Sequence, residues 1–431
     1  MHLAWRAYVL VLLAAVLAVA GIWSSDAGFA QLWRVPVGLL LLGLAVEGAY
    51  LRRPRLTAHL GASTRALLGV PCEVALEFAS SARRPLILRY APAVPEGFEA
   101  PAATRRVALP AQGAVRDALP LLPVRLGAHA WPPLPARLLG PLALAWWNAR
   151  LQPPERLVVA PDTLHVAPRL PGFGGGVRPR HVVGAGSELH QLRAYVRGDP
   201  LTRIDWKATA RAGTLISREF SEDQHLDILV AIDAGRLSRV RAGSLDRFGV
   251  YANLAARLAQ LVTHRDDRIG LVVYADRPLA SCAPARGLAA VMQVRRTLEE
   301  LTVRPAESDP TSAAVTIRHL LRHRGLVVLL TDLDDANVAR LLARAVGLLA
   351  PPHLVVVAGV QSGEIGALAR VQAQDWQDPW IALAASEHEA RAAGQRALLR
   401  RLGVPVVGAP AERLEQAVFA QYEALRRTRR V

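Results

Sequence analysis

The sequence predicts a multidomain chain with three folding units: an N-terminal transmembrane helical hairpin, a β-sandwich-like domain and a doubly wound α/β domain. Three observations lead to this prediction. Residues 1–55 are predominantly apolar, residues 56–165 contain short strand-like runs between turns, and residues 226–431 alternate apolar strands with helices. A chain of 431 residues is also too long for one ordinary hydrophobic core.

The composition narrows the classes of partner and cofactor. The formal net charge is +16, but no basic run alternates with aromatic residues. Base stacking requires such a surface, so we expect no nucleic-acid binding. Cys72 and Cys282 are far apart and lack partner spacing, which argues against a disulfide framework and a cysteine-ligated zinc site. We expect no cofactor.

The first unit, residues 1–55, contains two segments that are long and apolar enough to span a membrane. Residues 7–23 carry no charge, and residues 32–51 carry only Arg34 and Glu47, each near an end where it can snorkel to the interface. The alternative is a signal peptide, because AVA at residues 18–20 resembles a cleavage site. That alternative leaves the second apolar segment unexplained, so we favour a hairpin.

Basic residues flank both ends of this hairpin. Arg6 precedes the first apolar segment, and the sequence RRPR at residues 52–55 follows the second. The positive-inside rule therefore places both ends in the cytoplasm. The expected location is the inner (cytoplasmic) membrane, with a multi-pass anchor in the lipid bilayer and soluble domains that face the cytoplasm.

The second unit, residues 56–165, contains short apolar runs such as CEVALEF, PLILRY and ERLVVAP, separated by turns. No helical period persists, so the pattern predicts a β-sandwich-like domain. Trp146 and Trp147 lie near the end of a predicted strand, where we expect a core or interface role. Residues 166–225 follow as a linker and a charged segment. The sequence PGFGGG at residues 171–176 lacks the Lys-Ser/Thr of a phosphate loop and is interpreted as flexible linker.

The third unit, residues 226–431, contains continuous apolar runs: LDILVAID, RIGLVVYA, GLVVLLTDL, HLVVVAGV and the shorter VPVVG. Such runs are typical of parallel strands buried on both faces. Helices are predicted over residues 246–264, 288–301, 311–323, 336–349, 387–401 and 411–427. Because ligands bind outside the carboxyl ends of parallel strands, Asp233 and Asp332 are candidate site residues.

The charged segment GSELHQLRAYVRGDPLTRIDWKATARAGTLISREF, residues 186–220, resembles the signature of the bacterial family called domain of unknown function 58. The resemblance implies a von Willebrand factor A-like α/β domain behind two membrane spans and a β-rich region. It also implies a MoxR-type AAA+ ATPase as partner and no assigned enzymatic activity. The signature positions in this chain are Arg193, Tyr195, Gly198, Asp199, Arg203, Asp205, Trp206, Lys207, Arg211 and Arg218.

Physical chemistry leaves two roles open for this motif. Gly198 and Pro200 suit a turn, and the following residues can form a short helix or an extended clasp. In the first role Trp206 is buried and the Arg and Asp side chains pair across it, so that the motif clamps the linker to the α/β domain. In the second role the motif is a partner-binding surface.

The von Willebrand factor A resemblance also implies a divalent-cation site, in which an Asp-x-Ser-x-Ser loop, a Thr and a further Asp supply ligands. Asp233, Thr311 and Asp332 match three of these positions, whereas Gly235 and Leu237 stand where the serines would be. Ser238 is one residue beyond the expected place and is expected to point elsewhere. We therefore expect metal binding no tighter than millimolar, with these residues capping strand ends and helix starts instead.

The function that these observations favour is a membrane-anchored, non-enzymatic interaction module that acts as adaptor or co-chaperone for a MoxR-type AAA+ ATPase in the assembly or remodelling of complexes. The alternative is a carboxylate- or metal-dependent hydrolase that uses the acidic residues of the charged motif, such as Asp199 and Asp205.

Overall fold

The computed structural model describes residues 2–24, 26–52, 54–61, 65–101, 103–163, 182–184, 188–222, 225–301, 305–333, 336–361 and 363–428. The predicted linker at residues 171–176 lies outside them. The chain divides into two compact units, which we treat separately. The first contains residues 1–162, 243–253 and 295–302, and the second contains residues 163–242, 254–294 and 303–431.

Two helices at the start of the first unit confirm the predicted apolar pair. Helix α1 is Trp5–Ile22 and helix α2 is Arg34–Leu51, and each is long and apolar enough to cross a membrane. Most of their large apolar side chains are exposed, as lipid-facing side chains would be. A one-turn 3₁₀ helix, Phe29–Gln31, lies between them.

The rest of the first unit is built largely of short strands, as predicted. They form a five-stranded sheet ordered β1-β11-β10-β5-β7, a four-stranded sheet ordered β2-β4-β8-β6, and a three-stranded sheet ordered β3-β12-β9. The strands are β1 His2–Leu3, β2 Leu56–Leu60, β3 Arg65–Leu67, β4 Cys72–Ser80, β5 Leu86–Tyr90, β6 Phe98–Glu99, β7 Arg105–Leu109, β8 Ala114–Pro123, β9 Gly127–Ala130, β10 Leu134–Leu139, β11 Ala145–Leu151 and β12 Arg156–Ala160.

These three sheets share one hydrophobic core. Strand β4 alternates buried and partly exposed residues, so that Val74, Leu76 and Phe78 all point inward. Phe78 meets Tyr90 of β5 with ring centroids 4.9 Å apart. The period-2 pattern of the sequence thus places one face of each main strand in the core.

Glu47 of α2 does not snorkel to the interface, so that expectation is wrong. Its side chain is fully buried, and its carboxylate oxygens accept hydrogen bonds from the turn that joins β10 to β11 and from the start of β11. Oε1 accepts from the backbone N–H groups of Leu142 (2.9 Å) and Leu144 (3.1 Å). Oε2 accepts from Ala145 N (3.2 Å) and from Trp147 Nε1 (3.4 Å). The acid therefore fixes the end of the apolar helix to the β domain.

The start of α1 meets the same turn. The N–H of Ala4 donates to the carbonyl oxygen of Leu144 at 2.7 Å, and the guanidinium of Arg6 donates to the carbonyl of Leu142 at 3.2 Å. The N–H of Leu144 is also one of the donors to Glu47. The beginning of α1 and the end of α2 therefore lie side by side, as a helical hairpin requires.

In the second unit the charged motif forms a small sheet ordered β13-β15-β14, with one helix between its last two strands. The elements are β13 Val182–Gly184, β14 Glu188–Ala194, the 3₁₀ turn Leu201–Arg203, α3 Trp206–Ala212 and β15 Ile216–Glu222.

The remaining elements alternate along the chain much as the sequence predicts. They are β16 Asp227–Asp233, a 3₁₀ turn Arg236–Arg239, β17 Arg241–Ala242, β18 Leu245–Asp246, α4 Arg247–His264, β19 Arg268–Tyr274, β20 Pro278–Ala285, α5 Gly287–Glu299, α6 Pro310–Leu320, β21 Leu326–Leu330, α7 Ala336–Leu349, β22 Leu354–Val360, α8 Gly363–Leu368, α9 Asp378–Arg401, β23 Val406–Ala409 and α10 Ala411–Thr428. Strand β20 and helix α8 are not anticipated by the sequence.

The large sheet has the order β20-β19-β16-β21-β22-β23. Strands β19, β16, β21, β22 and β23 are parallel, whereas β20 pairs with β19 in the antiparallel sense. The carboxyl ends of the parallel strands therefore meet at one edge. Strand β16 is flanked by β19 on one side and by β21 on the other, so the direction of winding reverses at β16.

Packing on this sheet explains the long apolar runs. Strands β16, β19 and β21 are buried at nearly every position, on both faces. On one face, alternate residues of the strands join α6, α7 and α9 in a single core, to which Ile317, Leu342 and Leu399 belong. The sheet thus provides a rigid base for the residues at its carboxyl edge.

Candidate functional site

The motif turn is shaped by glycine, as predicted. Gly198 has φ +117°, a backbone conformation that L side chains rarely adopt. Nothing lies within 4 Å of the position that a Cβ of Gly198 would take, so backbone conformation rather than space requires the glycine. The turn brings Asp199 back to the end of β14, where its Oδ2 accepts a hydrogen bond from Val196 N at 3.1 Å.

Arg193 is the centre of an ion-pair cluster within the motif. Its two terminal nitrogens contact the two carboxylate oxygens of Asp199 at 2.9 Å and 2.8 Å, in bidentate geometry. Its Nε donates to Glu219 on the neighbouring strand β15. Gln191 donates to the other oxygen of Glu219 at 2.6 Å. Both carboxylates are therefore occupied in holding the turn against the two strands.

Electrostatics favour the ionised form of this cluster. The hydrogen bond from Arg193 lowers the pKa of Asp199 below its ordinary value, with the N–H of Val196 and the charges of Arg193 and Arg203 adding to the decrease. The same contacts raise the pKa of the Arg193 guanidinium. Because a general base at neutral pH needs a carboxylate pKa near 7, this shift moves Asp199 away from acid–base chemistry.

Helix α3 is short and is capped at both ends by motif residues. Asp205 is its N-cap, and Oδ1 accepts from Ala208 N at 2.9 Å. Gly213 ends the helix in the left-handed conformation, with φ +67°. The hydroxyl of Thr209 accepts from Ile216 N at 3.0 Å and joins the helix to β15. Asp205 thus has a structural partner of its own.

Trp206 is exposed, and the prediction that it is buried beneath paired charges is wrong. As the first residue of α3 it has 67% of its surface exposed. Ile204, by contrast, is buried at 2% exposure and bridges to Ser217 of β15. Among the motif side chains whose burial the structure describes, Ile204 supplies the apolar anchor, and the indole of Trp206 lies on the outside.

Other signature residues also lie on the outside of the motif. Lys207 and Arg211 are exposed on α3, while Tyr195, Arg203 and Arg218 are partly buried. Exposed apolar side chains accompany the basic ones: Leu192, Val196, Leu201 and Leu215. We call Leu201, Trp206, Lys207 and Arg211 the motif surface. It combines large apolar groups with positive charge.

A second cluster lies at the end of β16, where the winding of the sheet reverses. Asp233 is almost fully buried, and its Oδ1 accepts from Ser308 Oγ (2.5 Å) and Gly235 N (2.9 Å). Its Oδ2 accepts from Thr331 Oγ1 at 2.7 Å. Burial raises the pKa of Asp233 above its ordinary value, although these hydrogen bonds oppose the increase.

Sequence reasoning missed Ser308, which takes the place that the absent loop serine leaves open. A Cβ at Gly235 would lie 2.1 Å from Ser308 Oγ, so a serine at position 235 would exclude the hydroxyl that now binds Asp233. Ser238 points elsewhere, as expected, and its hydroxyl donates to the carbonyl of Gly235 at 2.6 Å. The one sequence feature that indicates Ser308 is the segment ESDPT, residues 307–311. It places a hydroxyl immediately before Asp309, the N-cap of α6.

The other two predicted metal residues have different surroundings. Asp332 is buried beyond the end of β21. Thr311 is in the first turn of α6, where its backbone N–H donates to the N-cap Asp309 at 3.0 Å. Among residues that the structure describes, no group of three or more His, Cys, Asp or Glu side chains is arranged to hold a metal ion. Since hydroxyl and amide donors occupy both oxygens of Asp233, the arrangement does not fit a directly ligated cation.

We therefore expect Mg²⁺ and Mn²⁺ to bind the detergent-solubilised chain no more tightly than at millimolar concentration. The physical reason is that a cation would have to displace three donors from Asp233. Isothermal titration calorimetry of the wild type and of Asp332→Ala measures this directly. A micromolar site that disappears in Asp332→Ala would contradict the prediction.

The fold and the two clusters define a multidomain protein with two candidate membrane helices, a β domain and an α/β unit preceded by a charged motif. Residues 191–396 match the model of a family described as Protein of unknown function DUF58. This match includes most of the charged motif and confirms the resemblance seen there.

Individual proteins are similar over shorter or weaker matches. Uncharacterized proteins from Mycobacterium bovis and Mycobacterium tuberculosis are 26% identical over 172 residues, which cover 39% of this chain. The chain spans about half the length of these curated relatives, 54% in each case. Among solved structures, the conserved hypothetical protein BatB from Bacteroides thetaiotaomicron is 11% identical, with a TM-score of 0.29 over 46% of this chain and 99% of that one. An aerotolerance-related membrane protein from Bacteroides fragilis gives 11% identity and a TM-score of 0.26, over 41% of this chain and 97% of its own.

Proposed function

We propose that this protein is a membrane-anchored interaction module, and that its motif surface is the docking site for a protein partner. The observation that carries the proposal is the exposure of Trp206 on a helix whose two ends are fixed by Asp205 and Gly213. Trp206 is exposed together with the motif residues Leu201 and Leu215, and a group of exposed apolar side chains is typical of an interaction site.

The construction of the motif supports this role. The Arg193 cluster and the caps of α3 hold the backbone beneath Trp206 before any partner arrives. Pre-organisation of this kind reduces the entropy lost on binding. Trp and Arg are also among the residues most enriched at positions that dominate binding free energies, and Arg211 lies five residues further along the same helix.

The proposed partner is a MoxR-type AAA+ ATPase, for which the protein acts as adaptor or co-chaperone. The partner class comes from the family resemblance, and the positive charge of the motif surface suits an acidic face on the ATPase. The ATPase is cytoplasmic in this scheme, so both ends of the helical hairpin face the cytoplasm at the inner membrane. The basic residues Arg6 and Arg52 beside the two spans support that orientation.

We also propose that the α/β unit is a doubly wound, von Willebrand factor A-like domain with a degenerate cation loop. Support comes from the order of the large sheet and from Asp233 at the end of β16. In this proposal the hydroxyls of Ser308 and Thr331, rather than a metal ion, bind the carboxylate of Asp233. A partner would then engage this edge without a bridging ion.

The hydrolase alternative gains no specific support. It needs free carboxylates in the motif, whereas Asp199 and Glu219 bind Arg193 and Asp205 caps α3. A non-enzymatic role is therefore our proposal.

The decisive measurement is the affinity of the full chain, in nanodiscs, for the purified MoxR-type ATPase of the same organism. We expect Trp206→Ala to weaken binding about thirtyfold or more, which corresponds to the ~2 kcal/mol typical of a dominant interface residue. Its melting temperature should remain that of the wild type, because the indole contributes little to the folded core. Trp380→Ala is the matched control, since Trp380 is 66% exposed on helix α9 and should leave affinity unchanged.

Two results would contradict the proposal. Equal affinity of Trp206→Ala and wild type would show that the motif surface is not the docking site. A melting temperature several degrees lower in Trp206→Ala would show that the indole is structural, which would restore the clasp interpretation.

A further inference from the structure

A cleft at the carboxyl edge of the large sheet is separate from both clusters described above. It has a volume of about 290 Å³, and its walls include Gln361, which follows β22, Pro410, which follows β23, and residues of α8 and α9. Ligands of α/β sheets bind outside the carboxyl ends of the strands, where loops rather than strands form the walls. The volume corresponds to a small metabolite rather than to a peptide.

The lining of this cleft is basic. Arg370, His388 and Arg396 all line it. Within the part of the chain that the structure describes, neither arginine forms an ion pair with a carboxylate. Their neighbour Arg391, in contrast, pairs with Glu387 at 2.8 Å on the outer surface of α9. Glu389 also lines the cleft but forms an ion pair with neither arginine, so both guanidinium groups have donors that suit an anionic ligand.

Two glycines make room for polar side chains at the wall. A Cβ at Gly408 would lie 2.4 Å from Gln361 Nε2, and a Cβ at Gly366 would lie 2.4 Å from Glu389 Oε1. Any larger residue would push Gln361 or Glu389 away from the backbone against which it now lies. The cleft therefore presents an amide and a carboxylate beside the basic groups, and such groups hydrogen-bond to ligand hydroxyls.

We propose that this cleft binds a small phosphate ester of a polyol. The two guanidinium groups match the charge of about −1.5 to −2 on a phosphate monoester at neutral pH, and their forked donors match its oxygens. Gln361 and Glu389 hydrogen-bond to the hydroxyl groups of the ester. The site does not depend on the motif surface and goes beyond the docking role.

The test is calorimetric titration of the detergent-solubilised full chain with glycerol 3-phosphate. Saturable binding is expected, and both Arg370→Ala and Arg396→Ala should weaken it roughly tenfold or more, because each removes charge-assisted hydrogen bonds to the phosphate. Gln361→Ala should weaken binding of glycerol 3-phosphate but not of inorganic phosphate. Arg400→Ala is the matched control, since Arg400 is exposed near the end of α9 and outside the cleft.

Each remaining outcome overturns the assignment. Absence of saturable heat at millimolar ester would exclude the site. Equal affinities of the two arginine variants and the Arg400→Ala control would show that the ester binds elsewhere. Succinate binding as tightly as the ester would show that the cleft selects negative charge and not phosphate. Melting temperatures of all variants confirm that the protein remains folded in each titration.

Discussion

Replacing Glu47 with Gln is expected to lower the free energy of unfolding by about 2–4 kcal/mol. The carboxylate accepts four N–H donors, two on each oxygen. In the Glu47→Gln variant one of these oxygens is replaced by an NH₂ group, which cannot accept and which faces two of the donors. Each buried donor left unsatisfied costs about 1–3 kcal/mol. Chemical denaturation in detergent, followed by tryptophan fluorescence, measures the change.

The matched control is Glu73→Gln, because Glu73 is exposed on strand β4. A surface change of this kind should alter stability by less than about 0.5 kcal/mol. If Glu47→Gln were as stable as Glu73→Gln, the contact between α2 and the β10–β11 turn would have no energetic role. The apolar helices would then be connected to the β domain by the chain alone.

Replacing Asp267 with Ala is expected to destabilise the second unit by about 3–5 kcal/mol, the range for breaking a buried ion pair. Asp267 is 1% exposed and connects the loop before β19 to the C-terminal helix α10. Its Oδ2 accepts from Tyr422 (2.6 Å) and Arg426 (2.9 Å), and its Oδ1 accepts from Leu226 N (3.0 Å). Alanine would leave a phenol, a guanidinium and a backbone N–H without their acceptor.

Tyr422→Phe separates the contributions of this network. Burial raises the pKa of Tyr422 well above its ordinary value, and the charge of Asp267 adds to the increase, so the phenol remains a donor at neutral pH. Loss of that one hydrogen bond should cost about 1 kcal/mol. Asp276→Ala, on an exposed turn, is the control for loss of an acid. Equal unfolding midpoints for Asp267→Ala and Asp276→Ala would contradict the prediction.

Much of the secondary structure was predictable because the hydrophobic patterns of its strands and helices were long and uninterrupted. The run LDILVAID predicts β16, and the strand covers Asp227–Asp233. The last helix was expected over residues 411–427 and is Ala411–Thr428. Strand β20 was missed because its sequence, PLASCAPA, contains small residues and two prolines. An antiparallel edge strand tolerates them, since one side of it has no hydrogen-bonding neighbour.

The environments of single polar and aromatic residues were harder to predict. Trp206 follows Ile204 by two positions, and either could have been the buried anchor of the motif. The structure buries Ile204, since its backbone bridges to Ser217. Glu47 lies near the end of an apolar helix, where snorkelling is the usual solution. Its actual donors come from a turn about ninety-five residues later in the chain, a distance at which no local pattern carries a signal.

The sequence by itself determined the two apolar helices, the order of the five parallel strands and most helices of the α/β unit, and the family that the motif resembles. These properties depend on hydrophobic period and local spacing, which neighbouring residues encode. Only the tertiary structure decided that Ser308 binds Asp233, that Glu47 accepts hydrogen bonds from the β10–β11 turn, and that Arg370 and Arg396 line one cleft. Each of these depends on chain segments far apart in sequence, and their meeting is decided by packing rather than by local propensity.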